Sequence, residues 1–444
     1  MEVNKVFAPD QPIKSCKEDI LGRKSFAQSL GDAILNYKEK ESIVVGLFGE
    51  WGSGKTSLIN MALEHINDVS RGKTSDDKPI IIKFNPWNYS DQNQLIIQFF
   101  RQLSVTLRKP GYSKDVKKAG EWLEIYGKFF EAFTFIPIVG PLAHILSSMS
   151  KNIGAAAKAW DNLKSNDLNS IRAKLNQLLN KQPHKIVIVI DDIDRLNDTE
   201  IRQIFQLVKS LGDFPNTIYL LAFDKNVVIN ALMRVQEGYG LEYLEKVVQI
   251  PFEVPLIPKQ KVEELLFSQL NQSLEGTVKA KWDHDHWSRI YNAGLKCFFR
   301  NIRDVNRYIN TFQFGFEIVK DEVNPVDFSA ITAIQVFMPE VFYGIRDNKE
   351  IFSGIYYELQ RSDERRAQDK ARCEEIISRA NEPSPEVLKG LLQKLFPKLV
   401  SIYGNTIYGP EWLDEWREAC RICSPDVFDV FFRLSLPRGE MSQK

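Results

Sequence analysis

Five short apolar stretches, rich in β-branched residues, mark the first 255 residues of this 444-residue chain. The first, Ile43–Phe48, is apolar throughout, which predicts a strand buried on both faces of a sheet. The other four are Pro79–Phe84, Lys185–Ile190, Thr217–Phe223 and Val247–Ile250. Together they predict an α/β core built around a parallel sheet.

Beyond residue 255 the pattern becomes helical. Pro251, Pro255 and Pro258 predict a corner at which the chain leaves the sheet. Helices are predicted at Lys261–Leu274 and Arg303–Lys320, and we expect them to form a lid. The predicted domains are a core of residues 1–104 and 181–255, a helical insertion of residues 105–180, a helical lid of residues 256–320 and a C-terminal helical domain of residues 321–444.

Composition and charge are those of an ordinary soluble protein. Hydrophobic residues make up 43% and charged residues 26%, which argues against a disordered or collagen-like chain. Lys+Arg and Asp+Glu both number 58, so any nucleic-acid site must be local. The five cysteines are scattered and odd in number, which fits a reducing compartment. The first residues lack the apolar core of a signal peptide, so we expect a cytoplasmic location.

One apolar segment leaves its environment open. Residues 129–150 carry a single formally charged side chain, Glu131, and approach the length of a membrane-spanning helix. Pro137 and Pro141 would interrupt such a helix, and a carboxylate is costly at bilayer depth. Three interpretations stand: buried helices with a corner, helices lying on a membrane, and helices embedded in one. Membrane contact through residues 129–149, at the inner face of the membrane, is therefore one of the expectations.

The most informative motif follows the first strand. Residues 49–56 read GEWGSGKT and lie between that strand and a predicted helix. Glycines let backbone N–H groups close around phosphate oxygens, and the helix N-terminus adds the positive end of its dipole. Lys55 would reach the β- and γ-phosphates, and the Thr56 hydroxyl would ligate Mg²⁺. The predicted nucleotide-binding residues of this loop are Gly49, Glu50, Trp51, Gly52, Ser53, Gly54, Lys55, Thr56 and Ser57.

An acidic motif follows the strand Lys185–Ile190. Ligands of open α/β sheets bind outside the carboxyl ends of the strands. Asp191 is therefore predicted to hold Mg²⁺ through water, and Asp192 to orient the attacking water. An acidic helix cap is the alternative. Arg195 is predicted either to pair with Asp191 or Asp194 in its own chain or to reach the nucleotide of a neighbouring subunit.

The motifs at residues 49–56 and 191–196 are joined by two others, Phe84–Tyr89 and Tyr243–Phe252. Together the four resemble the KAP family of P-loop NTPases. The resemblance implies a bacterial ATPase switch module, often associated with membranes and with the exclusion of phage. It also implies an additional-strand P-loop NTPase core, in which one strand separates the P-loop strand from the acidic strand. The chain has no Asn-Lys-x-Asp element for guanine, so ATP with Mg²⁺ is favoured over GTP.

The resemblance also suggests roles for residues outside these motifs. Asp224 follows the fourth strand, where related ATPases sense the γ-phosphate, and a plain helix cap is the alternative. Ile20, Leu21 and Arg23 precede the first strand, where the equivalent linker of related ATPases packs on adenine. Arg303 belongs to a helical stripe of arginines that would reach the phosphates from the lid, and a solvated basic face is the alternative.

These patterns predict an ATP-hydrolysing conformational switch that forms a homo-oligomer. The family resemblance implies that it acts with a partner effector in defence against phage or mobile DNA. The first rival is a nucleotide-binding scaffold with little turnover, because Asp192 stands where many additional-strand ATPases carry glutamate. The second is a nucleic-acid-stimulated motor that uses the basic residues of 101–118. The predicted catalytic residues are Lys55, Asp192, Arg195 and Asp224.

A weaker pattern lies in the predicted lid. Asp283, His284, Asp285 and His286 have side chains that bind metals, but no second group of ligands accompanies them in the sequence. We therefore do not expect a metal there.

Overall fold

The computed structural model describes residues 10–72, 78–89, 94–131, 168–235, 239–275, 282–356, 363–380 and 382–433. The chain divides into two compact units, one of residues Pro12–Leu256 and one of Met1–Gln11 with Ile257–Lys444. The segment 129–149 lies outside the described residues, apart from the backbone of 129–131, so its membrane contact stays a prediction. Among the helices in the described ranges, none is both long enough and apolar enough to span a bilayer.

A parallel sheet forms the centre of the first unit. Its strands within the described ranges are β1 (Ile43–Phe48), β2 (Ile80–Phe84), β3 (Ile186–Ile190), β4 (Thr217–Phe223) and β5 (Ile250–Glu253). They lie in the order β2-β3-β4-β1-β5, and neighbouring strands are parallel. Because β4 separates the P-loop strand β1 from the acidic strand β3, the predicted additional-strand fold is confirmed.

The carboxyl ends of four strands coincide. Ile190 of β3 pairs with Phe84 of β2 and with Leu221 of β4, and Phe48 of β1 pairs with Phe223 of β4. Polar groups that follow these strands therefore emerge along one edge of the sheet. They are the P-loop after β1, Asn85 after β2, Asp191 and Asp192 after β3, and Asp224 after β4.

The fifth strand is displaced from its prediction. The sequence predicts Val247–Ile250, whereas Val247 ends a helix and the strand runs from Ile250 to Glu253. Pro251 lies inside this strand, opposite Gly46. An edge strand tolerates proline because the position of the missing N–H can face away from the sheet. The sequence pattern predicted that the chain leaves the sheet at Pro251, whereas the structure keeps Pro251 within its last strand.

Helices cover both faces of the sheet. They are α1 (Lys24–Asn36), α2 (Lys55–Ser70), α3 (Leu95–Leu107), α4 (Lys114–Glu131), α5 (Leu168–Lys181), α6 (Asp198–Gln206), α7 (Lys225–Val235) and α8 (Gly240–Val247), with short 3₁₀ turns at Cys16–Glu18, Pro86–Tyr89 and Ile193–Arg195 and a π-helical turn at Leu207–Leu211. Leu30 of α1 and Leu58 of α2 share one core with Val45 of β1. On the other face, Leu103 of α3 and Leu175 of α5 share a second core with the sheet.

Part of the predicted insertion packs directly on this second core. Tyr126 of α4 is buried, and its ring meets Phe100 of α3 and Phe214 near the start of β4. The Tyr126 hydroxyl donates to the carbonyl of Leu211 at 3.3 Å. The described helices of the insertion therefore belong to the body of the unit. The boundaries of the insertion, like the other domain boundaries, stay predictions.

The described part of the second unit is helical. Its helices are α9 (Lys259–Leu274), α10 (His284–Ala293), α11 (Ile302–Val319), α12 (Pro325–Phe337), α13 (Pro339–Arg346), α14 (Lys349–Phe352), α15 (Asp363–Ser378), α16 (Pro385–Leu395), α17 (Pro397–Tyr403), α18 (Glu411–Glu418) and α19 (Val430–Arg433), with a 3₁₀ turn at Leu295–Phe298. α9 and α11 lie where the sequence predicts them. A continuous hydrophobic core reaches from Val262 to Phe431, so the predicted lid and the predicted C-terminal domain share it.

Candidate functional site

A glycine-rich loop joins β1 to α2. Gly52 and Gly54 have φ angles of +83° and +91°, which favour glycine strongly. Gly54 is the N-cap of α2 and has no side chain to cap the helix, so the first N–H groups of the helix remain available to a ligand. A Cβ at Gly49 would lie 2.5 Å from Ser53 Oγ, so the loop closes tightly. The buried Ser53 Oγ has no hydrogen-bond partner among the described residues. This loop has the form of an anion-binding site.

Lys55 is folded back onto the loop. Its Nζ donates to the carbonyl of Gly49 at 2.8 Å and to that of Glu50 at 3.3 Å. It also pairs with Asp194 Oδ2 at 3.3 Å, and both side chains are buried. The ammonium is thus held at the mouth of the loop by two carbonyls and one carboxylate. Because an ammonium has three N–H donors, a phosphate that bound Lys55 would replace one of these three acceptors.

Thr56 and Asp191 form the predicted metal pair. Thr56 Oγ1 donates to Asp191 Oδ2 at 2.6 Å, while Asp191 Oδ1 accepts from the N–H of Asp192 at 2.9 Å. Burial and, less strongly, the neighbouring Asp192 raise the pKa of Asp191. A hydroxyl and a carboxylate are ligand types that Mg²⁺ prefers, so these residues fit the metal. They line a cleft of about 270 Å³ together with polar side chains that include Asn60, Asn85, Asn88 and Gln102.

Asp192 has both carboxylate oxygens engaged. Arg195 Nε lies 2.8 Å from Oδ1, and Asn85 Nδ2 donates to Oδ2 at 2.9 Å. The ion pair of Arg195 is therefore with Asp192, and the prediction that its partner is Asp191 or Asp194 is wrong. The 3₁₀ turn at Ile193–Arg195 explains the difference, because three residues per turn bring positions 192 and 195 to the same side. The Arg195 guanidinium also lies 4.9 Å from the centre of the Trp87 ring.

Two residues of this site, Asp194 and Asn85, were not among the predicted catalytic, nucleotide-binding or metal-binding residues. Asp194 Oδ2 accepts from Lys55 Nζ and from the N–H of Asp224, at 3.3 and 3.0 Å. Asn85 bonds Asp192 and also accepts from the N–H of Trp87 at 3.0 Å. The available signal was position, because Asn85 directly follows β2 at the same edge of the sheet.

Asp224 acts as a helix cap. Its Oδ1 accepts from the N–H groups of Asn226 and Val227, at 3.0 and 3.3 Å, at the start of α7. The structure thus shows the helix cap that the sequence analysis gave as the alternative role of Asp224. A contact of Asp224 with the γ-phosphate stays a prediction.

The segment before α1 contributes one residue to the loop. Arg23 is 6% exposed, and its guanidinium donates to the carbonyls of Ser53 and Pro255. Ile20 is 60% exposed, and the N–H of Leu21 donates to Asp19 at 3.0 Å. Ser57 Oγ accepts from the N–H of Ile13 at 3.3 Å. Packing of residues 20–23 on adenine stays a prediction.

The predicted lid arginine lies in the second unit. Arg303 Nε pairs with Asp10 Oδ2 at 2.5 Å. Arg300 pairs with Glu382 at 2.7 Å. The approach of Arg303 to a nucleotide stays a prediction.

Two residues of the Asp283–His286 pattern, Asp283 and His286, have structural contacts in the second unit. Asp283 caps α10, and His286 Nε2 lies 2.7 Å from Asp327 Oδ1. Asp327 also pairs with Arg421 Nε at 2.6 Å and is fully buried. In the part of the chain that the structure describes, no three His, Cys, Asp or Glu side chains gather as a metal site would require.

Comparison with known proteins gives both a relative and structural neighbours. The phage T7 exclusion protein of Escherichia coli (strain K12) is 23% identical over 356 residues, which cover 75% of this chain and 46% of the relative. The chain therefore spans less than half the length of this curated relative. Cdc6p from Pyrobaculum aerophilum is 13% identical with a TM-score of 0.38, and 96% of each chain is covered. The ORC2 protein of Aeropyrum pernix is 11% identical with a TM-score of 0.34, covering 96% of this chain and 97% of its own.

The family is shown by a match that covers more than half of the chain. Residues 23–318 match the model described as the KAP family P-loop domain. This range includes β1–β5, the loop at Gly49–Thr56 and the acids after β3. The loop geometry and the family match both support nucleotide binding. The chain therefore belongs to the KAP family of P-loop NTPases.

Proposed function

We propose that this protein binds ATP with Mg²⁺, hydrolyses it, and uses the bound nucleotide to set its conformation. The observation that carries the proposal is the 2.6 Å contact between Thr56 Oγ1 and Asp191 Oδ2 beside Lys55. A hydroxyl, a carboxylate and an ammonium, the groups that a P-loop site uses, thus lie together at one sheet edge, which supports the proposal. ATP is the proposed nucleotide because the sequence has no Asn-Lys-x-Asp element for the recognition of guanine.

Binding follows from the groups around the loop. The uncapped N–H groups of α2 face the phosphates, and Lys55 exchanges Asp194 for a phosphate oxygen. Thr56 and Asp191 would hold Mg²⁺, directly and through water, and the metal supplies charge neutralisation of the phosphates. Ser53 Oγ, which has no partner in the described structure, gains an acceptor when a phosphate is present.

Hydrolysis at this site would use Asp192 to orient the attacking water. Its two oxygens accept from Asn85 and Arg195, and each carboxylate oxygen can accept a further hydrogen bond, so Asp192 can bind a water while both contacts are kept. The two contacts also hold the Asp192 side chain in one orientation. This supports the second candidate, a nucleotide-binding scaffold with slow turnover, in which that orientation persists with nucleotide bound and does not suit the attacking water.

Steady-state release of phosphate tests the proposal. The wild type should turn over ATP in Mg²⁺ and stop in EDTA, and Lys55→Ala should lose turnover. Lys38→Ala, a change of an exposed lysine in the same unit, is the matched control and should keep the wild-type rate. Equal rates in wild type and Lys55→Ala would reject hydrolysis at this site. Tight nucleotide binding without turnover would favour the scaffold.

The biological role we propose is defence against phage or mobile DNA, through a nucleotide-dependent homo-oligomer in the cytoplasm and a partner effector. Its support is the named function of the E. coli relative, of which this chain spans less than half. Cells with the wild-type gene should reduce plaque formation, and Lys55→Ala should remove the protection. Light scattering with and without a non-hydrolysable ATP analogue tests the oligomer, and an unchanged mass would reject its dependence on nucleotide. Carbonate-resistant pelleting would indicate membrane embedding instead.

A further inference from the structure

Arg23 joins two backbone segments that are far apart in the sequence. Its Nη1 donates to the carbonyl of Ser53 at 2.5 Å, and its Nη2 donates to the carbonyl of Pro255. Ser53 belongs to the P-loop, and Pro255 is the penultimate residue of the first unit. The Arg23 side chain is buried, so both contacts are shielded from water.

The contact with Ser53 also fixes a neighbouring amide. The carbonyl of Ser53 and the N–H of Gly54 belong to one trans peptide and therefore point in opposite directions. Gly54 has a φ of +91°, and a Cβ there would lie 3.0 Å from Arg23 Nη1. By holding the carbonyl, Arg23 directs the Gly54 N–H to the side away from the guanidinium. Gly54 is the N-cap of α2, and its N–H is one of the groups that an anion at the helix N-terminus would use.

The segment Val254–Leu256 also contacts the start of the P-loop. The N–H of Val254 donates to the carbonyl of Phe48 at 2.7 Å. A Cβ at Gly49 would lie 3.0 Å from Val254 Cγ2, so the Val254 side chain packs closely against the Gly49 backbone. The segment thus meets the loop at its beginning directly and near its end through Arg23. The chain leaves the first unit immediately afterwards, at the 94% exposed Leu256.

We propose that Arg23 is a positioning residue that couples the conformation of the P-loop to Val254–Leu256, the segment through which the chain leaves the nucleotide-binding unit. This rests on the proposed nucleotide binding. When a phosphate binds the Gly54 N–H, it fixes the Ser53–Gly54 peptide, and with it the guanidinium that also donates to the carbonyl of Pro255. Arginine suits this role because its rigid planar fork donates in two directions at once, whereas lysine has one compact ammonium.

Hydrogen–deuterium exchange on the full chain tests the proposal, with and without a saturating non-hydrolysable ATP analogue and Mg²⁺. In the wild type, exchange should slow about fivefold both in the P-loop and at Val254, Leu256 and Ile257, since one hydrogen bond is worth about that factor. In Arg23→Gln the P-loop should still slow, and the exit segment should not. Arg23→Lys keeps the charge but not the fork and should behave like Arg23→Gln. Arg71→Gln, at an exposed arginine that follows α2, is the matched control and should behave like the wild type.

The outcomes separate this proposal from nucleotide binding itself. Lys55→Ala should lose slowing in both segments. A wild type that shows no slowing in the P-loop would contradict nucleotide binding. Slowing in the wild-type P-loop without slowing at Val254–Ile257 would overturn the coupling alone, and this arm needs no variant to fold. Unchanged slowing of the exit segment in either Arg23 variant would overturn it as well. A hundredfold loss of affinity in Arg23→Lys would show instead that Arg23 contacts the nucleotide.

Discussion

Replacing Asp194 with asparagine should destabilise the first unit and tighten nucleotide binding. Asp194 Oδ2 accepts from Lys55 Nζ at 3.3 Å and from the N–H of Asp224 at 3.0 Å. The Lys55 and Asp194 side chains are 9% and 8% exposed, so the ion pair is buried. The amide oxygen of asparagine can keep the bond from Asp224, so the substitution removes the charge and little else.

The size of both effects follows from this contact. A hydrogen bond to a charged group contributes about 1.5–3 kcal/mol, and Lys55 keeps two carbonyl acceptors, so we expect a loss of about 2 kcal/mol. In a unit of this size each kcal/mol lowers the melting temperature by about 2–4 °C, which gives about 4–8 °C. Nucleotide binding changes in the opposite direction, because Lys55 no longer has to leave a carboxylate. The same 2 kcal/mol corresponds to a dissociation constant about 30-fold lower.

Thermal unfolding and calorimetric titration with MgATP measure the two effects. Asp198→Asn is the control, because Asp198 pairs with Arg234 on the surface, and breaking that pair should cost at most about 1 kcal/mol without changing nucleotide affinity. Weaker nucleotide binding in Asp194→Asn would refute the reasoning, since it would mean that Asp194 acts on the bound nucleotide. A double-mutant cycle with Lys55→Met that shows no coupling would also refute it.

Three further predictions concern other charged groups. Because burial raises the pKa of Asp191, its ionised form costs stability that grows as the pH rises above the ordinary value of 3.8. Asp191→Asn should therefore raise the melting temperature of the nucleotide-free protein at pH 7 and abolish the extra stabilisation by Mg²⁺ in thermal-shift assays; an intact Mg²⁺ effect would contradict this. Burial raises the pKa of Asp327, but the Arg421 guanidinium and other donors hold it below 3.8, so its stabilising contribution is present above that pH and is lost as the pH falls below it. Asp327→Asn should destabilise the second unit by about 3–5 kcal/mol in denaturant titrations at pH 7, and a change below about 1 kcal/mol would argue against the network. Arg195→Ala should reduce turnover, and mixing with Lys55→Ala chains should not restore it, because Arg195 pairs within its own chain; recovery in the mixture would indicate an arginine finger between subunits.

The sheet was predictable from local pattern where the strands are buried on both sides. The structure places β1 and β4 at the predicted residues, Ile43–Phe48 and Thr217–Phe223, because continuous apolar runs in a parallel core leave little ambiguity. β5 was not predictable in the same way. Pro251 looks like the end of a strand until its neighbour is known, and only the pairing with β1 shows that it lies at an edge.

Some contacts of the candidate site could be predicted from the sequence, and others could not. Thr56 and Asp191 could be placed together from sequence, because each follows a parallel strand and such ends share one edge. The partners of Asp194 and Arg23 could not be predicted. Asp194 accepts from the backbone N–H of Asp224, and Arg23 donates to the backbone carbonyl of Ser53, and residue types do not specify the directions of such backbone groups. For Arg195 the sequence predicted an ion pair within the chain but not the correct partner, because the 3₁₀ turn brings Arg195 next to Asp192.

Calorimetric titration of the full chain with ATP, in Mg²⁺ and in EDTA, tests the central claim most directly. The account predicts one site per chain, a loss of affinity of at least about tenfold without the metal, and no binding heat from Lys55→Ala. Absence of heat from the wild type in Mg²⁺, or equal binding by wild type and Lys55→Ala, would contradict it.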